Sequence, residues 1–147
     1  MVSPIRPLFR RNGIEIALIT VELWSDRLVV RLAGLPGETA DAQQRRHEVE
    51  FDHWREQLVG AGKEAAGDPP TDPGARLLAP LLVEADDDAG TRYRLRSSAS
   101  GGSGSEWHGD WLFVADVPVS IRRLTVRISS PEGDAVTVEV DLDESRS

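Results

Sequence analysis

Cysteine is absent from all 147 residues. Its absence excludes disulfides, thiol nucleophiles and thiolate metal sites, but leaves the compartment open because exported proteins can also do without it. Lysine is nearly absent too. Lys63 is the one lysine, so arginine supplies almost all of the 17 basic residues. No excess of positive charge exists either: 25 acids set the net charge at -8. Nonspecific nucleic-acid binding needs a basic footprint, and none is expected here. Long apolar runs are also missing. The start, MVSPIRPLFRRNG, has basic residues with no apolar run of signal-peptide length, and Ile14–Leu23 is broken by Glu15, Thr20 and Glu22. Nothing approaches the roughly 18 apolar residues of a membrane span. The expectation is a soluble, cytoplasmic protein without a membrane span, folded as one domain over 1–147.

What is present is alternation with period two. In LTVRIS, Leu124, Val126 and Ile128 alternate with polar neighbours, and in VTVEVDL so do Val136, Val138, Val140 and Leu142. These are half-buried strands joined by SPEGD, a turn with proline and glycine in place. Even-numbered residues then face inward, leaving Arg123 and Arg127 on the outer face with Glu139 and Asp141. Upstream, Ile14, Ile16 and Leu18 run in phase, then the pattern shifts to Ile19, Val21 and Leu23. A parity change of this kind predicts a bulge or a strand covered on both faces. After Ser25-Asp26, Leu28, Val30 and Leu32 complete a hairpin.

Asp41–Val59 has no turn residues and is rich in helix formers. Phe51, Trp54 and Leu58 give it a narrow apolar stripe, with Val49 near its edge. Asp41 is read as the N-cap, with Gln44 three residues on as in a capping box, and Gly60 and Gly62 as the stop. Trp54 is expected to pack this helix onto a sheet. GDPPTDPG, residues 67–74, reads as irregular. Leu77–Ala85 reads as a strand restricted by Pro80, DDDAGT as a turn, and Thr91–Ser97 and Glu106–Val117 as strands. The run SSASGGSGS, Ser97–Ser105, separates the last two. A domain boundary there leaves too few strands downstream for a core, so it is read as a mobile internal loop.

The segment LVEADDDAGTRYRLRSS, followed by the glycine-rich run, WLFVADVP and RRLTVRI, resembles immunoglobulin-like β-sandwich modules of bacterial proteins of unknown function, as in the outer parts of some anti-sigma-like proteins. The matching residues are Asp87, Asp88, Gly90, Tyr93, Phe113, Leu124 and Val126. ITVELWSDRLVVRL fits the first hairpin of such modules more loosely. The resemblance covers roughly the last third of the chain and implies a sandwich fold without catalytic residues. The helix after the first hairpin is a departure from a compact sandwich.

Several residues carry chemistry on paper. Asp86, Asp87 and Asp88 form an acidic cluster of the kind that supplies calcium oxygens, yet they lack the alternate spacing of a calcium loop; a turn whose aspartates accept backbone hydrogen bonds is the simpler reading. His47 and His53 lie six apart and so on different helix faces, not the i, i+4 pair that zinc favours. His108 stands beside Asp110, but no nucleophile-elbow sequence accompanies them. Trp107 and Trp111 share a strand face with Gly109 between them. Either they form an aromatic platform for a sugar or partner side chain, or they belong to the core. Arg92, Arg94 and Arg96 make a positive stripe that, with Arg123 and Arg127, would fit an acidic partner; a solvated face paired with Glu139 and Asp141 is the simpler reading.

The sequence therefore predicts a mainly β protein: a single immunoglobulin-like antiparallel β-sandwich of seven or eight strands with one inserted amphipathic helix. The expected role is a non-catalytic protein-interaction or structural module without cofactors. The alternative is a carbohydrate or small-ligand binder using Trp107 and Trp111.

Overall fold

The computed structural model describes residues 5–103 and 106–142. Eight strands are present among them: β1 (Arg6–Arg11), β2 (Ile14–Leu23), β3 (Arg27–Gly34), β4 (Leu82–Asp87), β5 (Arg94–Ser103), β6 (Glu106–Val114), β7 (Arg123–Ser129) and β8 (Ala135–Asp141). Three helices, α1 (Glu38–Ala61), α2 (Lys63–Ala66) and α3 (Pro73–Leu78), follow the β2–β3 hairpin. The strands form two antiparallel sheets, ordered β1-β2-β3-β6-β5 and β4-β7-β8. Their inner faces feed one buried cluster. Ile16, Leu28, Val30, Leu32, Trp107 and Phe113 come from the larger sheet, and Val83, Leu124, Val126, Ile128 and Val138 from the smaller. The molecule is a β-sandwich. Each fully buried aliphatic or aromatic side chain contributes roughly 1.5–3 kcal/mol relative to exposure.

Alternation in the sequence maps directly onto these strands. β7 and β8 pair Leu124 with Val140, Val126 with Val138 and Ile128 with Val136, with the even positions inward. Arg123 stands across from Asp141 on the outside. The parity change in β2 is a bulge: Leu18 pairs Leu32 and Thr20 pairs Arg31, leaving Ile19 as the extra residue. The inward set then resumes at Val21, which is buried.

β1 has no counterpart in the sequence reading. Pro7 and a bulge at Leu8 obscure its alternation, and proline is tolerated because β1 is an edge. Asn12 and Gly13, both at positive φ, make the two-residue turn into β2. Arg11 fastens this edge to the rest. Its guanidinium donates to the carbonyls of Arg76 (2.9 Å) and Leu77 (2.8 Å) at the end of α3, and to Glu132 (2.8 Å) in the β7–β8 turn. A cation suits the free carbonyls of a helix C-terminus.

The helical region departs from expectation in three ways. α1 starts at Glu38 after Gly37, so Asp41 lies in the first turn and makes no side-chain cap; its N–H already donates to the Gly37 carbonyl (2.9 Å). Gly62 ends the helix, its N–H bonded to the Leu58 carbonyl (3.2 Å). Secondly, Leu77 and Leu78 are helical, and the strand expected over Leu77–Ala85 begins only at Leu82. The cause is the Asp72-Pro73 pair. Asp72 accepts from the Ala75 N–H (3.1 Å) as N-cap, and proline fits the first helical position because its missing N–H is not needed there. Thirdly, Trp54 does not reach a sheet.

The largest correction concerns Ser97–Ser105. Residues 97–103 are not a loop but most of β5, paired with β6 from Arg94↔Val114 to Ser103↔Glu106; Gly104 and Ser105 lie outside the described residues. α3 lies close against this strand. A Cβ on Gly74 of α3 would stand 2.9 Å from the Gly101 carbonyl oxygen and 3.1 Å from the Trp107 Cβ. A Cβ on Gly34 would stand 2.7 Å from Leu77, and one on Gly102 would overlap the Glu106 backbone. The helix thus rides directly on the β5–β6 backbone. The strand it touches is rich in glycine and serine, which in sequence looks like a tether.

Candidate functional site

α1 is the part of the molecule that the core does not explain. It has 24 residues, hence a length of about 36 Å, and only Ala40 near its start is buried. His47, Phe51, Trp54 and Leu58 form one half-buried stripe along it. The chain returning through α2 and residues 67–72 covers that stripe. Trp54 Nε1 donates to the Gly67 carbonyl (3.0 Å), and the Phe51 and Trp54 ring centroids are 5.3 Å apart. Helix and return segment together make an arm. Gln43 Nε2 ties its root to the Asn12 carbonyl (2.9 Å) in the β1–β2 turn.

Helical rotation of 100° per residue puts Val49, Asp52, Glu56 and Val59 in one stripe, opposite the covered one. All four are exposed, Val49 at 69% and Val59 at 88%, so Val49 faces away from the covered stripe and does not border it as expected. Arg55 and Gly60 join Asp52, Glu56 and Val59 around an open groove near the tip. At the root, Asn12, Gln43, Arg46, His47, Glu50, Pro73 and Arg76 line a cleft of about 200 Å³. The Nδ1 of His47 is buried there without a hydrogen-bond partner.

The residues singled out in the sequence scatter over the sandwich. Trp107 and Trp111 are 1% and 2% exposed, so the aromatic face is core and not an open platform. The ring of Trp111 lies over Gly109, within 2.8–2.9 Å of where a Cβ would stand, and fills the gap that glycine leaves. His108 is exposed on the outer face of β6, across from Ala33 on one side and Gly101 on the other. Its neighbour Asp110 pairs with Arg31 (3.3 Å), which also holds Glu22 (3.1 Å). Arg92 and Arg94 line an open groove with Asp26 and Asp116. Arg96 sits at the bulge where β5 slips register and is exposed.

The three aspartates do not converge. Asp86 sits opposite Thr125 on the outer face of β4 and is exposed. Asp88 accepts from the Arg122 N–H (3.2 Å). Asp87 is the hub of the turn, accepting from the N–H groups of Ala89 (2.9 Å) and Thr91 (3.0 Å) and from the Tyr93 hydroxyl (2.7 Å). Burial pushes its carboxyl up, but the donors of Thr91, Tyr93 and Ala89 more than offset this and hold it below the ordinary aspartate value. Gly90 takes φ 73° within the same turn. The Asp-Asp-x-Gly-x-x-Tyr sequence is therefore a clasp that closes the turn after β4. Among the described residues no group of three histidine or acidic side chains is placed to hold a metal ion, and no helix is long and apolar enough to cross a membrane.

The chain matches no protein-family model, no curated protein and no solved structure. Its functional reading rests on its own geometry. The helix and its free face were legible in the sequence; that it stands off the sheet as an arm was not. The stripe of Phe51, Trp54 and Leu58 was a visible signal for an amphipathic helix, but the same stripe serves a sheet or a returning chain equally well.

Proposed function

We propose that this protein is a non-catalytic interaction module of immunoglobulin-like build, which offers the free face of α1 to a protein partner. One observation carries the reading: a helix of 24 residues buries a single alanine. Ordering that many residues costs roughly 1–2 kcal/mol of backbone entropy each, and the sandwich gains almost no core from it. Val49 and Val59, flanked by Asp52 and Glu56, suit a helix-in-groove mode of binding, with an apolar groove bordered by basic side chains on the partner.

The strand order supports the immunoglobulin-like part. Setting β1 aside, β2-β3-β6-β5 and β4-β7-β8 follow the ABED and CFG order of a constant-type immunoglobulin sandwich, with the helices inserted between the second and third strands. The non-catalytic part is supported by the dispersal of acid–base groups. His47 and His53 lie on the arm, His108 on an open strand face, and Asp110 is engaged by Arg31. A sugar platform built on Trp107 and Trp111 has no accessible ring to offer.

Site-specific photo-crosslinking in lysate of the source organism tests the reading. A photoreactive residue at Val49 or Val59 should give one discrete adduct, absent when the same residue is placed at Val119, which is equally exposed on the β6–β7 connection. Identical diffuse labelling from all three positions contradicts it.

A further inference from the structure

The two sheets leave four strands at an edge: β1, β5, β4 and β8. Unpaired edges attract other strands, and proteins blunt them with charge, proline, short length or bulges. β1 carries Arg6, Pro7, Arg10 and Arg11 with a bulge at Leu8. β4 is six residues long with Glu84, Asp86 and Asp87. β8 carries Glu139 and Asp141. β5 has Arg94 and a bulge at Arg96 at its start. From Ser97 to Ser103 it has no charge, proline or bulge over about 20 Å, and Ser97, Ser98 and Ala99 are exposed.

Packing accounts for only part of this. α3 lies against the Gly101 backbone, but Ser97 and Ala99 stand on the outer face beside Leu112 and Asp110 and are exposed. Nothing in the fold forbids a lysine or glutamate at either position. The edge is left pairable.

We propose that β5 is the seam of a two-fold homodimer, with the stretch centred on Ser98 or Ala99 pairing antiparallel to the same stretch of a second copy and joining the two larger sheets into one. Charge favours a second copy. A two-fold centred on Ser98 or Ala99 brings Arg96 of one copy alongside Ser100 or Gly102 of the other. That far end of the strand is flanked by acids: Asp72 has its carboxylate 3.6 Å from where a Gly101 Cβ would stand, and Glu106 pairs with Ser103. Such an interface is self-complementary and closes both exposed edges at once. The inference is independent of the arm and its partner.

Sedimentation equilibrium across the micromolar range should give twice the chain mass. The double variant Ser97→Lys/Ala99→Lys, which places four lysines along the seam, should sediment as a folded monomer with unchanged far-ultraviolet circular dichroism. Because the chain has no cysteine, a disulfide scan provides a second readout that leaves the strand intact. Single cysteines at Ser97, Ser98, Ala99 and Ser100 should oxidise to a covalent dimer at the one position on the two-fold axis or its neighbour, since directly opposed antiparallel residues meet disulfide geometry. A cysteine at Glu84 on the β4 edge should not. A monomer at every concentration, or a dimer that crosslinks through Glu84 and not through β5, overturns the proposal.

Discussion

The two principal helices use their residues in opposite ways. α3 has six residues and buries four of them, Pro73, Gly74, Leu77 and Leu78. α1 has 24 and buries one. The short helix has glycine where it touches the sheet, so its backbone lies against that of β5. The long one carries bulky aromatics and spends them on its own returning chain. Length and amphipathic pattern thus say little about what a helix does for a fold; the depth to which its backbone can approach the sheet says more. α3 is core by this measure, and α1 stands outside it.

Tryptophan provides the strongest way to break the comparison. Trp107, packed beneath α3 and Gly34, should cost about 3–5 kcal/mol when replaced by alanine, read as a lowered midpoint in urea unfolding. A loss under 1 kcal/mol would mean that α3 is not seated as described.

Glycine gives the next largest effect, and with opposite signs in the two helices. Gly74→Ala drives a methyl into the Gly101 carbonyl and the Trp107 Cβ. A carbonyl cannot swing aside as a side chain can, so the cost should be about 1–3 kcal/mol. A Cβ on Gly60 in α1 meets nothing within 4 Å. Gly60→Ala should instead stabilise the helix by up to about 1 kcal/mol through propensity alone. Amide hydrogen exchange in α1 reads that gain even if global unfolding does not.

This contrast also shows what could be read from the sequence. The β7–β8 register and the β2 bulge were legible because alternation is a local consequence of which face each residue takes. The clasp at Asp87 was legible as a turn because aspartate and glycine serve one another within a few residues. The start of β5 was legible, but its continuation through Ser97–Ser103 was not, since that run is held by pairing with β6 and by contact with a helix some 25 residues upstream. The same glycines that signal freedom in an isolated segment signal close contact in this one. Trp107 and Trp111 were narrowed to a shared face by spacing, but only α3 and the opposing sheet decide that this face is inside. The strands' existence lives in local pattern, and their environment lives in tertiary contact.

Acid separates sandwich from arm at a smaller scale. The Asp87 carboxyl is held below its ordinary value in the folded protein, so the folded state binds fewer protons there than the unfolded one. Its contribution is complete above the unfolded value near pH 4 and is lost as pH falls through the folded value. Asp87→Asn keeps the shape, weakens the bonds from Ala89, Thr91 and Tyr93, and should cost about 1–2 kcal/mol at neutral pH. The variant's stability should then fall less than that of the native chain between neutrality and pH 3. Parallel curves would place the acid sensitivity elsewhere.

The smallest global effect is expected at Trp54, and it isolates the arm. Trp54 holds the return segment by its indole N–H to the Gly67 carbonyl and by its ring against Phe51. None of its partners belongs to either sheet. Trp54→Ala should therefore lower global stability by less than about 1 kcal/mol, a fraction of the cost at Trp107, because the site is half-exposed and free to collapse. Locally the effect should be large: amides of 62–72 should lose their exchange protection while those of β2, β3 and β7 keep theirs. If protection fell throughout the sheets instead, the arm would be part of the cooperative core, and a helix that buries one alanine would need another explanation.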